Sequence, residues 1–267
     1  MSTTPHLLAG RSGRAVLLEL GEHIVEHAHP HAHVLIKLDG ADSSFSVAGQ
    51  ACAVRGDTFI AIDPWVPHAG PTTLLQGVTR ILALYIDVSS GFGDASPQKI
   101  FHSCIGSVDA GLRHAALQLR DGMSAGTAVA ADLDALLDRV LASHGRAATA
   151  PGAPFKYMDG RIRRLLRQMR AEPQLAHDVD ACARAACVSR SHFFHLFRES
   201  TGVSPHLFFN GLRLEAAVEH LGRSSMPIHS VAEQLGFSAA GHFTRFFRHH
   251  TGSTPLAYRR GALQAAD

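Results

Sequence analysis

Residues 26–40 read EHAHPHAHVLIKLDG and set histidines on alternate positions: His27, His29, His31 and His33. Neutral imidazole carries a nitrogen lone pair, so this run suits a transition-metal site, a pocket that hydrogen-bonds an organic ligand, or only the polar edge of a strand. Zinc, nickel, iron and copper all accept imidazole nitrogens. Pro30 interrupts the alternation, so the four rings need not share one face, and His31 is the weakest ligand of the set.

The elements that must position these rings fall into two blocks. Between residues 14 and 88 short apolar runs with turn signals (AVLLEL, HVLIKLDG, SFSVAGQACAV, GDTFIAIDP, RILALYIDV) predict strands of a small barrel or sandwich. Apolar residues spaced three and four apart predict helices over 107–122 and 128–145. The stretch SHGRAATAPGAPF (143–155) has no periodicity and reads as a linker, and from Lys156 onward the pattern is helical. The fold class is therefore α+β. Expected boundaries are 1–100 for the strand-rich domain, 101–145 for a helical hairpin, 146–155 for the linker and 156–267 for an all-α domain.

A chain of 267 residues with 46% apolar and 18% charged residues has enough material for two cored domains. It opens without the basic start and apolar run of a secretory signal. Its apolar stretches, such as ILALYIDV (81–88), fall well short of the ~20 residues that span a bilayer. A cytoplasmic protein without membrane contact is expected. Cys52, Cys104, Cys182 and Cys187 form no CxxC pair and read as reduced thiols, with no spacing in favour of a redox role for Cys182 and Cys187. Charge is uneven: residues 155–267 hold 15 Lys+Arg against 9 Asp+Glu, whereas residues 1–154 hold 10 against 14. A basic second half suits a polyanionic partner.

That half contains a repeat. FFHLFRESTGVSP (193–205) and FTRFFRHHTGSTP (243–255) coincide at a constant offset of 50 in Phe193/Phe243, Phe197/Phe247, Arg198/Arg248, Thr201/Thr251, Gly202/Gly252 and Pro205/Pro255. Each unit predicts a helix, a short turn, a serine (Ser189, Ser238) placed to cap a second helix, and a glycine to end it. Gly236 supplies the tight turn in the second unit; Cys187 takes that place in the first, a strained choice. A helix-turn-helix offers its second helix to a DNA major groove, and two copies address segments about 34 Å apart.

Residues 178–260 resemble the DNA-binding domain of AraC/XylS transcriptional regulators, on SRSHFFHLFRESTGVSPHLFFNGLRLEAAVEHL and SVAEQLGFSAAGHFTRFFRHHTGSTPLAYRR. The resemblance implies seven helices, two helix-turn-helix units and a joining helix at about 206–222. It also implies double-stranded DNA as partner, contact with RNA polymerase, activation more than repression, and a homodimer. On matching positions Arg190, Ser191, Phe194 and His195 face DNA from the first recognition helix, and Ala240, Gly241 and Arg245 from the second. Arg245 is the strongest base reader, because guanidinium grips guanine in a bidentate fork. Arg248, His249, Arg259 and Arg260 either neutralise phosphates or form a solvated basic face. The hairpin residues Leu133, Leu136, Leu137, Val140 and Leu141 form either the dimer seam or packing on the chain's own barrel.

A DNA-binding module makes the first half a sensor of a small effector. Gly21, His27, His29, His33 and Gly40 match the rhythm of the first cupin motif, with His33 where a metal-binding glutamate usually stands, and GDTFIAIDPWVPH (56–68) resembles the second. The resemblance implies a cupin-like barrel in which His27, His29, His33 and His68 converge, with Phe59 and Trp65 as apolar pocket wall. No cofactor is certain. An organic effector ranks ahead of a divalent transition metal on these histidines, which would make a metal-responsive regulator. A cupin metalloenzyme ranks last: the glutamate is missing, and no acid–base pair, nucleophile constellation or phosphate loop accompanies the histidines, so no enzyme activity is expected.

Overall fold

The computed structural model describes residues 5–72, 78–87, 99–146, 158–171 and 178–264. The expected linker falls outside them, Arg146 apart. Along the chain the strands are β1 (His6–Ala9), β2 (Gly13–Leu20), β3 (Ile24–His27), β4 (Ala32–Asp39), β5 (Ser43–Val47), β6 (Gln50–Val54), β7 (Thr58–Ile62), β8 (His68–Gly70), β9 (Thr79–Ile86) and β10 (Ile105–Ser107). They pair antiparallel into a six-stranded sheet, β1-β2-β9-β4-β7-β10, and a four-stranded sheet, β3-β8-β5-β6. The expected cupin-like barrel is an open pair of sheets. At the corner β3 and β8 are only four and three residues long and their register breaks between Ile24 and His27, too little ladder to carry hydrogen bonding into the neighbouring sheet.

Period-two alternation explains the layering. In β7, Ile60 and Ile62 point between the sheets with Val16, Leu35 and Ile81, while Phe59 and Ala61 point to the opposite face with Val34, Leu82 and Leu84. That outer face is covered by α1 (Ala110–Ala125) and α2 (Ala130–His144). Asp109 caps α1 by accepting from the Leu112 amide at 2.6 Å, and Gly126 ends it at φ 69°. Leu133, Leu136, Leu137 and Val140 are buried in this core, with Leu141 packed at its margin. As a seam between two copies these residues are corrected: a sheet face lined with valine, isoleucine and leucine needs an apolar cover, and α2 supplies it.

The chain leaves the small sheet after His27 and enters the large one at Ala32. Pro30 stands at this corner, where its missing N–H costs no ladder bond.

Seven helices follow among the described residues: α3 (Gly160–Ala171), α4 (Val179–Ala185), α5 (Arg190–Thr201), α6 (Pro205–Arg223), α7 (Ile228–Gln234), α8 (Ala240–Thr251) and α9 (Pro255–Gln264). The pairs α4–α5 and α7–α8 are the two helix-turn-helix units, joined by α6. Phe193 and Phe197 are fully buried in one core, Phe243 and Phe247 in the other. Gly202 and Gly252 end α5 and α8 at φ 78° and 73°. Cys187 does adopt the left-handed backbone of its counterpart Gly236, at φ 54°. Ser189 caps α5 through the His192 amide, but Ser238 does not cap α8. The offset that aligns the phenylalanines puts Ala239 at the cap position, and Ser238, one residue earlier, bonds the His242 ring instead.

The helical domain rests directly on the sheets. Trp65 stacks on Phe208 of α6 at 4.2 Å between centroids and 19° between planes. With Ala28 it continues the core of α3–α6 across the boundary. On α6, Gly211 lies so close that a Cβ there would stand 2.2 Å from the Ala28 carbonyl oxygen, and on α9 a Cβ at Gly261 would stand 1.8 Å from that of Pro5.

Candidate nucleic-acid interface and histidine centre

The start and outer face of α5 are open. Arg190, Ser191 and His195 are exposed, and Phe194 is half-buried. Arg190 is folded along its own unit: its guanidinium meets Asp180 at 2.6 Å and lies 5.6 Å from the Phe194 ring. His195 sits 3.4 Å from Glu199. On α8, Gly241 and Arg245 are exposed and Ala240 is half-buried. Arg248 has a different neighbour. Its Nε donates to Glu22 of the N-terminal domain at 3.1 Å, and a second guanidinium nitrogen also contacts that carboxylate. The turn of α8 that carries Arg248 therefore faces the sheets. Arg259, expected on a phosphate or on a solvated basic face, has two guanidinium nitrogens buried without a hydrogen-bond partner among the described residues.

The histidines meet at the corner of the sheets. His27 ends β3, His68 opens β8 directly opposite it, His29 lies in the corner and His33 begins the second pair of β4. All four are buried. Ring centroids are 4.2 Å apart for His27–His68, 5.0 Å for His29–His68, 5.2 Å for His29–His33 and 5.5 Å for His33–His68. His27 Nδ1–H donates to the Val25 carbonyl at 2.8 Å, and His68 Nδ1–H to that of Val66 at 2.9 Å. Those bonds fix the tautomer and leave each Nε2 as a bare lone pair. His68 Nε2 and both ring nitrogens of His29 and of His33 have no hydrogen-bond partner among the described residues. Burial, then the neighbouring imidazoles, holds His27, His29 and His33 well below the ordinary histidine value, and burial lowers His68 to about 4. The cluster is neutral: each ring offers one lone-pair nitrogen, and His29 and His33 each also carry an N–H without a partner among the described residues.

Two expected pocket residues do not join it. Phe59 points to the outer face of the large sheet, under α2, because the alternation of β7 turns it away from the corner. Trp65 is held at φ 62° and stacks on α6, as an anchor between the domains.

His31 points outward into an ion-pair network that sequence reasoning did not find. It meets Asp87 at 2.8 Å and Glu215 of α6 at 2.7 Å, and Glu215 also receives Arg14 at 3.1 Å. Burial opposes charge on His31, but its bonds to Asp87 and Glu215 outweigh it and raise its pKa. Burial likewise works against the Glu215 carboxylate, yet Arg14 and His31 bring it down to about 2. The Arg14 guanidinium covers the Tyr85 ring at 4.5 Å, and Tyr85 stacks on His33 at 4.2 Å. A continuous chain of contacts thus runs from the histidine cluster to α6. A second route leads to α8, where His250 lies 6.0 Å from His27 between centroids. Between the domains is a cleft of about 30 Å³ reached by His27, His29, Tyr85, Glu215, His250 and Tyr258.

Residues 182–261 match the model of a helix-turn-helix domain family. The chain is 32% identical over 106 residues to the RCS-specific HTH-type transcriptional activator RclR of Escherichia coli K12. That alignment covers 40% of this chain and 37% of RclR. It is also 33% identical over 84 residues to the arabinose operon regulatory protein of the same organism, covering 32% of this chain and 29% of that protein. The C-terminal helices match a helix-turn-helix domain and are similar to those of AraC-type regulators. The chain spans well under half the length of the curated relatives it matches, so the likeness is confined to that domain. For the whole fold, ToxT from Vibrio cholerae O395 superposes with a TM-score of 0.55 over 98% of this chain and 100% of its own, at 9% identity. That agreement covers both the sheets and the helices that follow them. No helix among the described residues is long and apolar enough to cross a membrane.

Proposed function

We propose that this protein is a sequence-specific DNA-binding transcriptional regulator, most simply an activator, whose N-terminal sheets sense a small effector and set how the AraC-type domain meets a promoter. The observation that carries the reading is the docking of α6 and α8 on the histidine corner. Arg14, His31 and Trp65 hold α6, while Glu22 holds Arg248 of α8. A signal at the corner has direct contact with the helix joining both reading units and with the second reading helix. An effector shifts such an equilibrium only by binding the two arrangements unequally, and a cleft lined from both domains satisfies that condition. The fold neighbour ToxT was crystallised bound to an organic acid, (E)-4-(8-methylnaphthalen-1-yl)but-3-enoic acid, which supports small-molecule control in this architecture.

Double-stranded DNA is then the partner of Arg190, Ser191, Phe194 and His195 on α5 and of Ala240, Gly241 and Arg245 on α8. RNA polymerase and a second copy of the chain complete the assembly, in the cytoplasm. Since α2 spends its leucines on its own sheet, the second copy meets another face. The test is selection of duplexes from a random pool by the purified chain, followed by footprinting. Two protected major-groove segments about 34 Å apart are expected; binding without sequence preference would remove the reading.

A further inference from the structure

The histidine corner has a feature that a purely structural core does not explain. Five buried imidazole nitrogens go without a partner among the described residues. A buried polar atom left unpaired costs about 1–3 kcal/mol, and a cluster of several in one place is retained only where something satisfies it. His27, His29 and His68 each offer a ring nitrogen, and these three atoms lie within 4.8 Å of one another. In two of the three, a backbone carbonyl already takes Nδ1–H. That is the outer-sphere bond by which ligating histidines are oriented and kept basic. The adjoining cleft of about 30 Å³ admits an ion with a water or two.

We propose that His27, His29 and His68 bind a divalent transition-metal ion of the zinc, nickel, cobalt or copper class, with His33 beside them, and that His250 of α8 couples its occupancy to the second helix-turn-helix. All-nitrogen donors select such ions over calcium or magnesium, which require oxygen. His250 is the imidazole that the DNA-binding domain brings to the rim. Its Nδ1–H is tied to the Phe246 carbonyl at 2.7 Å, so Nε2 is its available donor. The last turn of α8 is seated beside it, with Arg248 on Glu22 and Gly252 against Leu20 and Ile24. A charge arriving at His27 acts on this turn before any other part of the reading helices. By linkage, whatever the ion does to the docking of α8, DNA does in equal measure to the affinity for the ion.

This inference rests on the regulator reading for its second half only, and the experiment separates the two. Tag-free protein is stripped with a chelator, dialysed against Zn²⁺ or Co²⁺, desalted and assayed by elemental analysis and by the visible spectrum of bound Co²⁺. A single ion per chain is expected, with the absorption of nitrogen-ligated cobalt. His29→Gln and His68→Gln lose the ion; His250→Gln keeps it. Duplexes selected by the wild-type protein then report coupling: the ion changes their affinity about tenfold in wild type and leaves it unchanged in His250→Gln. Wild-type protein that retains no ion overturns the site whether or not the variants fold. Retention by His29→Gln and His68→Gln overturns the ligand assignment, and metal dependence persisting in His250→Gln overturns the coupling. A chain that binds metal yet selects no duplex contradicts the regulator reading and leaves the site intact.

Discussion

Glu215, in the middle of α6, closes an ion pair with Arg14, 201 residues earlier in the chain, at 3.1 Å. Removing one member of a buried pair leaves the other charge without compensation, at a cost of about 3–5 kcal/mol. Both side chains keep about a fifth of their surface in solvent, 19% and 18%, so the low end, about 3 kcal/mol, is expected for Glu215→Gln. The loss should appear as undocking of α6 before either domain unfolds. In urea denaturation the variant should show two transitions where wild type shows one. A single transition shifted as a unit would mean that the pair stabilises only its own domain.

Gly211 tests the same contact sterically. Its φ is ordinary helix, so alanine is acceptable to the backbone and favourable for helix formation by about 1 kcal/mol. The added Cβ, however, meets the Ala28 carbonyl oxygen at 2.2 Å. Gly211→Ala should stabilise an isolated α3–α9 fragment slightly and destabilise the docked chain by about 1–3 kcal/mol. Limited proteolysis between residues 146 and 158 should accelerate in the variant. Unchanged cleavage would show that α6 does not pack on the corner in solution.

These glycines mark where the sequence could and could not be read. The repeat at an offset of 50 exposed the helix-turn-helix units, their buried phenylalanines and the glycine ends, because local periodicity and capping are encoded within a few residues. α6 was legible to within a residue at each end, 206–222 against Pro205–Arg223. The strands β1, β3, β8 and β10 left little trace, being three or four residues long. The site was half legible. Alternate histidines and a later His68 signalled a centre, but Arg14, Tyr85, Glu215 and His250 joined it through contacts between domains, for which linear spacing carries no information. Phe59 and Trp65 were assigned by type, and the alternation of β7 and the turn at Trp65 sent them elsewhere. Glycine inside the helices α6 and α9 was the one available hint of close interdomain contact.

On the DNA side, Arg245 is exposed and makes no ion pair among the described residues, whereas Arg248 is engaged by Glu22. Arg245→Ala should lower operator affinity by about 1–3 kcal/mol and relax preference at one base position. Unchanged affinity and specificity would mean that α8 is not the reading helix.

Glu22→Gln should act in the opposite direction. It releases Arg248 for a phosphate and loosens α8 from the sheets, and exposed pairs of this kind contribute about 0.2–1 kcal/mol. A gain of up to about fivefold in DNA affinity is expected, larger at low salt because a phosphate contact is added. Equal or weaker binding would show that Arg248 works from its docked position.

The metal-stripped chain should lose stability in mild acid. Folded, His68 titrates at about 4 because it is buried, and burial with neighbouring imidazoles holds His27, His29 and His33 well below the ordinary value. Unfolded, all four return to about 6.5. Between those limits the unfolded chain binds more protons, so stability is complete above about pH 6.5 and falls as pH drops toward 4. Each histidine contributes a slope of about 1.4 kcal/mol per pH unit. His31 works in reverse, since Asp87 and Glu215 raise its pKa and its contribution fades as pH climbs through the raised value. That change lies above about pH 6.5, so it does not offset the loss in acid. Urea midpoints measured in chelator across this range should therefore decrease steeply, and less so in His68→Phe, where one titrating ring is gone. Midpoints that stay level from neutrality to about pH 5 would mean that protons reach the corner freely, and that its imidazoles are not the sealed, neutral donors the geometry describes.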